Sequence, residues 1–308
     1  MNALECEHLT RAFGRTLAVN DVSLSIPDGS IFALLGPNGA GKTTTLKILL
    51  NLLRPTSGRA SVLGVDSTKL TKRDFRRIGY VTEEQIYPEW MTVRQLVDYY
   101  RPFYPQWDDA LMKRLEEIFG LPSDRPLRKL SRGMRVKAIL LTILPFHPEL
   151  LVLDEPFGGL DPQVRDDFIN GMLEVVASDR PNTVIVSSHD IAEVERLADW
   201  VGILLGGKLV VAEPLSDLQA RFRRLEIVGP DVAARVPERP PAGWFKLERP
   251  ASTVVQLVHS AFENSEAAVA EVRAVFGNVT IKPCAMSLRE IFLVHSGLNR
   301  DQPETVHA

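Results

Sequence analysis

The stretch Ser30 to Leu53, SIFALLGPNGAGKTTTLKILLNLL, limits the possible folds more than any other part of the chain, because it joins an apolar run to a glycine-rich turn and then to an amphipathic segment. Ile31 to Leu35 has the length and apolarity of a buried strand, and Leu46, Leu49, Leu50 and Leu53 recur at helical spacing beyond the turn. Between them Gly36, Gly41, Lys42 and Thr43 satisfy the pattern G-x-x-x-x-G-K-[ST]. A loop of this form surrounds phosphates with backbone N–H groups, carries a lysine to the outer phosphates and offers a hydroxyl to magnesium. The helix that follows points the positive end of its dipole at the same anion. A chance glycine-rich turn has no reason to be framed by a strand and a helix in register, so the stretch predicts a phosphate site in an α/β fold.

Two later strand ends belong to the same reading. Leu150 to Leu153 is a short apolar run closed by the adjacent acids Asp154 and Glu155. Neighbouring side chains on a strand point to opposite faces, so the two carboxylates are expected to divide the work, one reaching the magnesium shell and the other a water beyond the terminal phosphate. Thr183 to Ser187 reads as a further strand of the sheet and leads into Ser188, His189 and Asp190. A histidine after such a strand lies on the nucleotide-binding edge, although a lone histidine is more often a surface residue. Phe13 sits in a polar, glycine-containing stretch, and spacing alone leaves a core role and stacking on a nucleotide base equally open.

At 308 residues the chain is long for one domain, and two are expected. Lys+Arg of 36 against Asp+Glu of 39 gives a net charge of −3, which argues against a nucleic-acid surface as the main business. Cys6 and Cys284 lie far apart without metal-like spacing and are expected to be ordinary buried thiols in a reducing compartment. The opening MNALECEHLT lacks a basic segment followed by an apolar one, and no run approaches the roughly 18 to 20 apolar residues that span a bilayer. Neither a leader nor a membrane span is expected.

From Leu4 to Leu218 the chain resembles the ATP-binding cassette (ABC) ATPases, the nucleotide-binding subunits of membrane transporters. The resemblance rests on the loop Gly36, Pro37, Asn38, Gly39, Ala40, Gly41, Lys42, Thr43 and Thr44, on Leu150 to Asp154, and on Leu130-Ser131-Arg132-Gly133-Met134 in the place of the diagnostic LSGGQ signature. It implies ATP and Mg2+ as ligands, with Thr43 and Asp154 on the metal, Glu155 as the base that polarises the attacking water, and His189 as a switch near the γ-phosphate. It also implies that Phe13 stacks on adenine, that Ser131 and Gly133 approach the ATP of a partner subunit, and that Asp161 belongs to a loop communicating across the dimer. Two departures stand out. Arg132 and Met134 replace glycine and glutamine of the signature, the added charge of Arg132 being expected to help hold phosphate, and Glu83 stands where the family presents a metal-touching glutamine, with Gln85 a candidate only if the loop is shifted. A carboxylate still ligates magnesium. Both departures resemble the subgroup that powers export of drugs, lipids or polysaccharides.

The expected architecture is an α/β P-loop NTPase core of ABC type over residues 1–218, with an antiparallel β layer and a helical insert at about 92–146. A small α+β accessory domain over 219–300 and a flexible tail over 301–308 complete it. The resemblance implies an ATPase that closes as a homodimer on two shared ATP molecules and drives a separate integral membrane permease at the cytoplasmic face of the membrane. No nucleic-acid partner is expected. An importer subunit, or a soluble ABC ATPase acting on nucleic acid or ribosomes, are the alternatives; the latter usually carry tandem cassettes or long insertions that this chain lacks. The accessory domain offers regulatory ligand binding, dimer support or simple packing as its role.

Overall fold

The computed structural model describes residues 2–82, 87–176, 182–262 and 265–297. Two compact units emerge, Met1–Ala212 and Glu213–Ala308. The break falls ahead of the expected one at Leu218, and helix Leu215–Arg221 belongs to the second unit. The cause is local: Arg221 Nε donates to Glu213 Oε2 at 2.9 Å and Arg221 Nη1 donates to the Ser260 carbonyl at 3.1 Å, so the helix is tied to residues later in the chain.

In the first unit, the described residues form a central sheet in the order Lys208–Pro214, Trp200–Leu205, Ile31–Leu35, Thr183–Ser188, Leu150–Asp154, Ile78–Thr82. The strands from Trp200–Leu205 to Ile78–Thr82 pair in parallel. Ile31–Leu35, Leu150–Asp154 and Thr183–Ser188 are buried along their whole length, which is why their sequences are nearly continuous apolar runs rather than alternating ones. Register then sets the site. Leu35 lies beside Ser188, Asp154 beside Ser187, and Thr82 beside Asp154, so these strands end along one edge of the sheet.

A second, antiparallel sheet has the order Thr16–Pro27, Asn2–Phe13, Ser57–Val62, Val65–Asp66. Leu4, Cys6 and Leu9 of one strand and Val22, Leu24 and Ile26 of its neighbour bury the inner face together with Leu46 and Leu49 of helix Lys42–Leu49. Burial pushes the Cys6 thiol up to about 12, leaving it inert, whereas Cys284 is only half-buried, unlike the buried thiol expected. The helical insert contains Val93–Tyr100, Asp109–Phe119 and Arg132–Ile143. Thr92 and Gln95 form a capping box at the first, Asp108 caps the second, and Gly120 ends it in a left-handed turn at φ 58°. Buried Lys137 pairs with Asp167 Oδ2 at 2.5 Å and fastens the insert to helix Pro162–Val176.

The second unit is the small α+β body anticipated from its alternating apolar pattern. Its antiparallel sheet runs Trp244–Ala251, Val254–His259, Arg223–Val228, Thr280–Ala285. Leu225, Ile227, Val255 and Leu257 meet Val272 and Phe276 of helix Ser265–Phe276 in a core of their own. Helix Leu288–Ser296 closes the unit, capped by Ser287 and Glu290.

Candidate nucleotide site

Gly36 is required by space, and Gly41 by space and backbone angle together. A Cβ at Gly36 would stand 2.4 Å from the Leu204 carbonyl oxygen, and one at Gly41, where φ is +102°, would stand 2.2 Å from that of Ala18. This packing folds the loop back over its own lysine. Lys42 is 5 % exposed, and its Nζ donates to the carbonyls of Gly36 at 2.7 Å and Pro37 at 3.3 Å. The loop from Asn38 to Thr44, with Phe13, Ala18 and Glu155, lines a cavity of about 350 Å³. Phe13, the last residue of its strand, is 48 % exposed, which removes it from the core.

Asp154 and Glu155 have different surroundings, but strand alternation is not the reason. Asp154 ends the strand, 2 % exposed, and its Oδ1 accepts from Thr43 Oγ1 at 3.0 Å and Ser187 Oγ at 2.7 Å. Glu155 has left the strand: its φ of +52° is left-handed, an uncommon and strained state for a residue with a side chain. Its N–H is directed at Ser187, 3.2 Å from the carbonyl and 3.0 Å from Oγ, which holds the turn. The side chain therefore swings over the cavity. Glu155 Oε1 forms an ion pair with Lys42 Nζ at 2.9 Å that lacks hydrogen-bond alignment, and Oε2 lies 2.7 Å from His189 Nδ1. Ser187 escaped the sequence reading. Its signal was a hydroxyl at the end of a strand parallel to the one bearing Asp154, which needed the register to be seen.

The structure thus unites Phe13, Asn38 to Thr44, Asp154, Glu155 and His189, while Gly36 and Pro37 hold the lysine. Other residues stand elsewhere. Ser131 is exposed and caps helix Arg132–Ile143, its Oγ accepting from Met134 N at 3.3 Å; Gly133 packs so closely that a Cβ would meet Val164 Cγ1 at 2.6 Å. Asp161 caps helix Pro162–Val176 by accepting from Val164 N at 3.0 Å. None of the three lines the cradle cavity. Arg132, expected to help hold phosphate, lies over its own chain, with Nη1 2.9 Å from where a Gly159 Cβ would stand. Glu83 and Gln85 fall outside the described residues. Beside the cradle, Tyr87, Leu96, Arg135, Ile139 and Glu155 contribute to a larger cleft of about 500 Å³.

A loop with two glycines, Gly36 and Gly41, too crowded for side chains, a buried lysine and a buried carboxylate holding a threonine hydroxyl fit a nucleoside triphosphate with a divalent cation. They define a P-loop nucleotide site on an α/β sheet. The comparisons narrow the class: the family model described as "ABC transporter" matches residues 19–158, and a shorter match, to "AAA domain, putative AbiEii toxin, Type IV TA system", covers 123–195. The chain is 34 % identical over 218 residues to the bacitracin transport ATP-binding protein BcrA of Bacillus licheniformis, covering 70 % of this chain and 71 % of that one. It is 32 % identical over 211 residues to the lantibiotic transport ATP-binding protein SrtF of Streptococcus pyogenes, covering 68 % and 89 %. A solved structure of an ATP binding subunit of an ABC transporter superposes with a TM-score of 0.63 at 27 % identity, over 70 % of this chain and 92 % of that one. The chain belongs to the ABC transporter ATP-binding proteins.

Proposed function

We infer that this chain is the ATP-binding and ATP-hydrolysing subunit of an exporting ABC transporter, working as one of a pair beneath a membrane permease. The observation that carries the chemistry is the carboxylate of Glu155, held over the cradle between Lys42 at 2.9 Å and His189 at 2.7 Å. When phosphates enter the cradle, backbone N–H groups of the loop and Lys42 Nζ take the charge of the outer oxygens. Lys42 then exchanges Glu155 for phosphate, and the freed carboxylate orients a water and accepts its proton as the γ-phosphoryl group leaves. His189 keeps that carboxylate on station. Magnesium, when bound through Thr43 Oγ1 and Asp154 with Glu83 as a further ligand, supplies positive charge that offsets the negative charge of the phosphate oxygens.

Ser131 and Gly133 do not line the cradle; in line with the family resemblance, the signature of a second subunit would complete each ATP site, and a homodimer would satisfy both sites with one kind of chain. No described helix is long and apolar enough to cross a membrane; the relatives named for transport support a separate membrane permease as the partner, reached through the helical insert. The relatives named for bacitracin and lantibiotic transport, with Glu83 and the Arg132 and Met134 variants, support export over import. The stretch from Glu83 to Val93, of which residues 83–86 fall outside the described residues, is the proposed hinge of that coupling. The test is Glu155→Gln, with ATP binding and phosphate release measured together. Binding is expected to persist while hydrolysis falls about 100- to 10,000-fold. Undiminished turnover removes Glu155 from the role of base.

A further inference from the structure

Phe13 is not a bare ring. The guanidinium carbon of Arg11 lies 4.6 Å from its centroid, and Arg11 Nη1 donates to the Arg54 carbonyl at 3.0 Å. Phe13 lines the cradle cavity and Arg11 does not. The pairing of Asn2–Phe13 with Thr16–Pro27 shifts register on both sides of Arg11, an irregularity that re-aims a side chain out of the regular pleat. The orientation has a cost. Arg11 Nε is buried with no hydrogen-bond partner among the described residues, a loss tolerated while the guanidinium lies against the ring.

We propose that Arg11 is a positioning residue for the base of the nucleotide: it fixes the Phe13 ring and leaves one face, on the cavity side, to receive adenine. The inference rests on the reading of Phe13 as the base-stacking ring. Two physical effects act together. A half-exposed phenylalanine at a strand end otherwise samples several rotamers, and a ring already held in place loses less freedom when the base arrives. The cation also draws the electron density of the ring toward itself, which lessens repulsion between the opposite face and the π-cloud of a purine. Both effects vanish for a ligand without a base, and both require the ring.

The experiment is a double-mutant cycle on Arg11 and Phe13, read by equilibrium binding of a non-hydrolysable ATP analogue and of inorganic tripolyphosphate. Arg11→Gln removes the cation and keeps an amide donor near the Arg54 carbonyl; Arg11→Ala removes both. Each is expected to weaken the analogue about 3- to 5-fold and leave tripolyphosphate unchanged. In a Phe13→Ala background neither is expected to have a further effect. If tripolyphosphate weakens in parallel, or the Arg11 loss persists without the ring, Arg11 acts through the strand and its contact with Arg54, and the proposal is overturned. If Phe13→Ala itself leaves analogue binding unchanged, the stacking role of Phe13 fails, and the role of Arg11 falls with it.

Discussion

At the cradle, Lys42 and Asp154 are almost fully buried, Gly36 and Gly41 have no space for a side chain, and Glu155 is held in a left-handed turn by Ser187. At the start of helix Arg132–Ile143 the arrangement is plainer: Ser131 is exposed and accepts one long backbone bond as a cap. The cradle is ordered by its own chain, with charges that cost free energy to bury and are offset by near neighbours. The serine keeps its hydroxyl proton out of the capping bond, so a phosphate oxygen brought from outside can receive it. The contrast fits the proposal of two half-sites, one built to bind and one built to complete.

The first way to break the contrast is to empty the cradle. Lys42→Ala removes the charge that faces the outer phosphates and leaves Glu155 without its 2.9 Å partner. ATP affinity is expected to fall by roughly 100-fold or more, checked by equilibrium binding. A normal affinity in this variant contradicts the cradle assignment.

A change at the other half-site sharpens the contrast. Ser131→Arg is expected to keep the binding of ATP to the isolated cradle and to lower steady-state hydrolysis by about 100-fold, the scale of losing one donor to the reacting phosphate. Equal loss of binding and turnover would place Ser131 within the cradle of its own chain.

Much of this was legible in the chain. Gly36 to Thr43, the acids after Leu153 and the histidine after Ser188 each follow a short apolar run, and such runs are the strongest local sign of buried parallel strands. The features that escaped detection depend on register and packing. Ser187 became visible only when its strand lay beside that of Asp154, and the left-handed state of Glu155 arises from contacts with that serine. The division of labour between the two acids was expected from strand alternation, yet Glu155 lies beyond the strand, and the turn is what parts them. The placement of Arg132 was not legible either, because the Gly159 beside its guanidinium is 27 residues away in sequence and adjacent only in space. The unit boundary moved for a similar reason, since Arg221 ties its helix to Glu213 and to the Ser260 carbonyl of the second unit.

The central claim is that the cradle of one chain is completed by the signature of another. Its most direct measurement is the solution mass of the Glu155→Gln variant by light scattering, with and without ATP and magnesium. The account predicts the mass of one chain without nucleotide and of two with it, and a return to one when Ser131→Arg is added. A mass that stays at one chain in saturating ATP would contradict it.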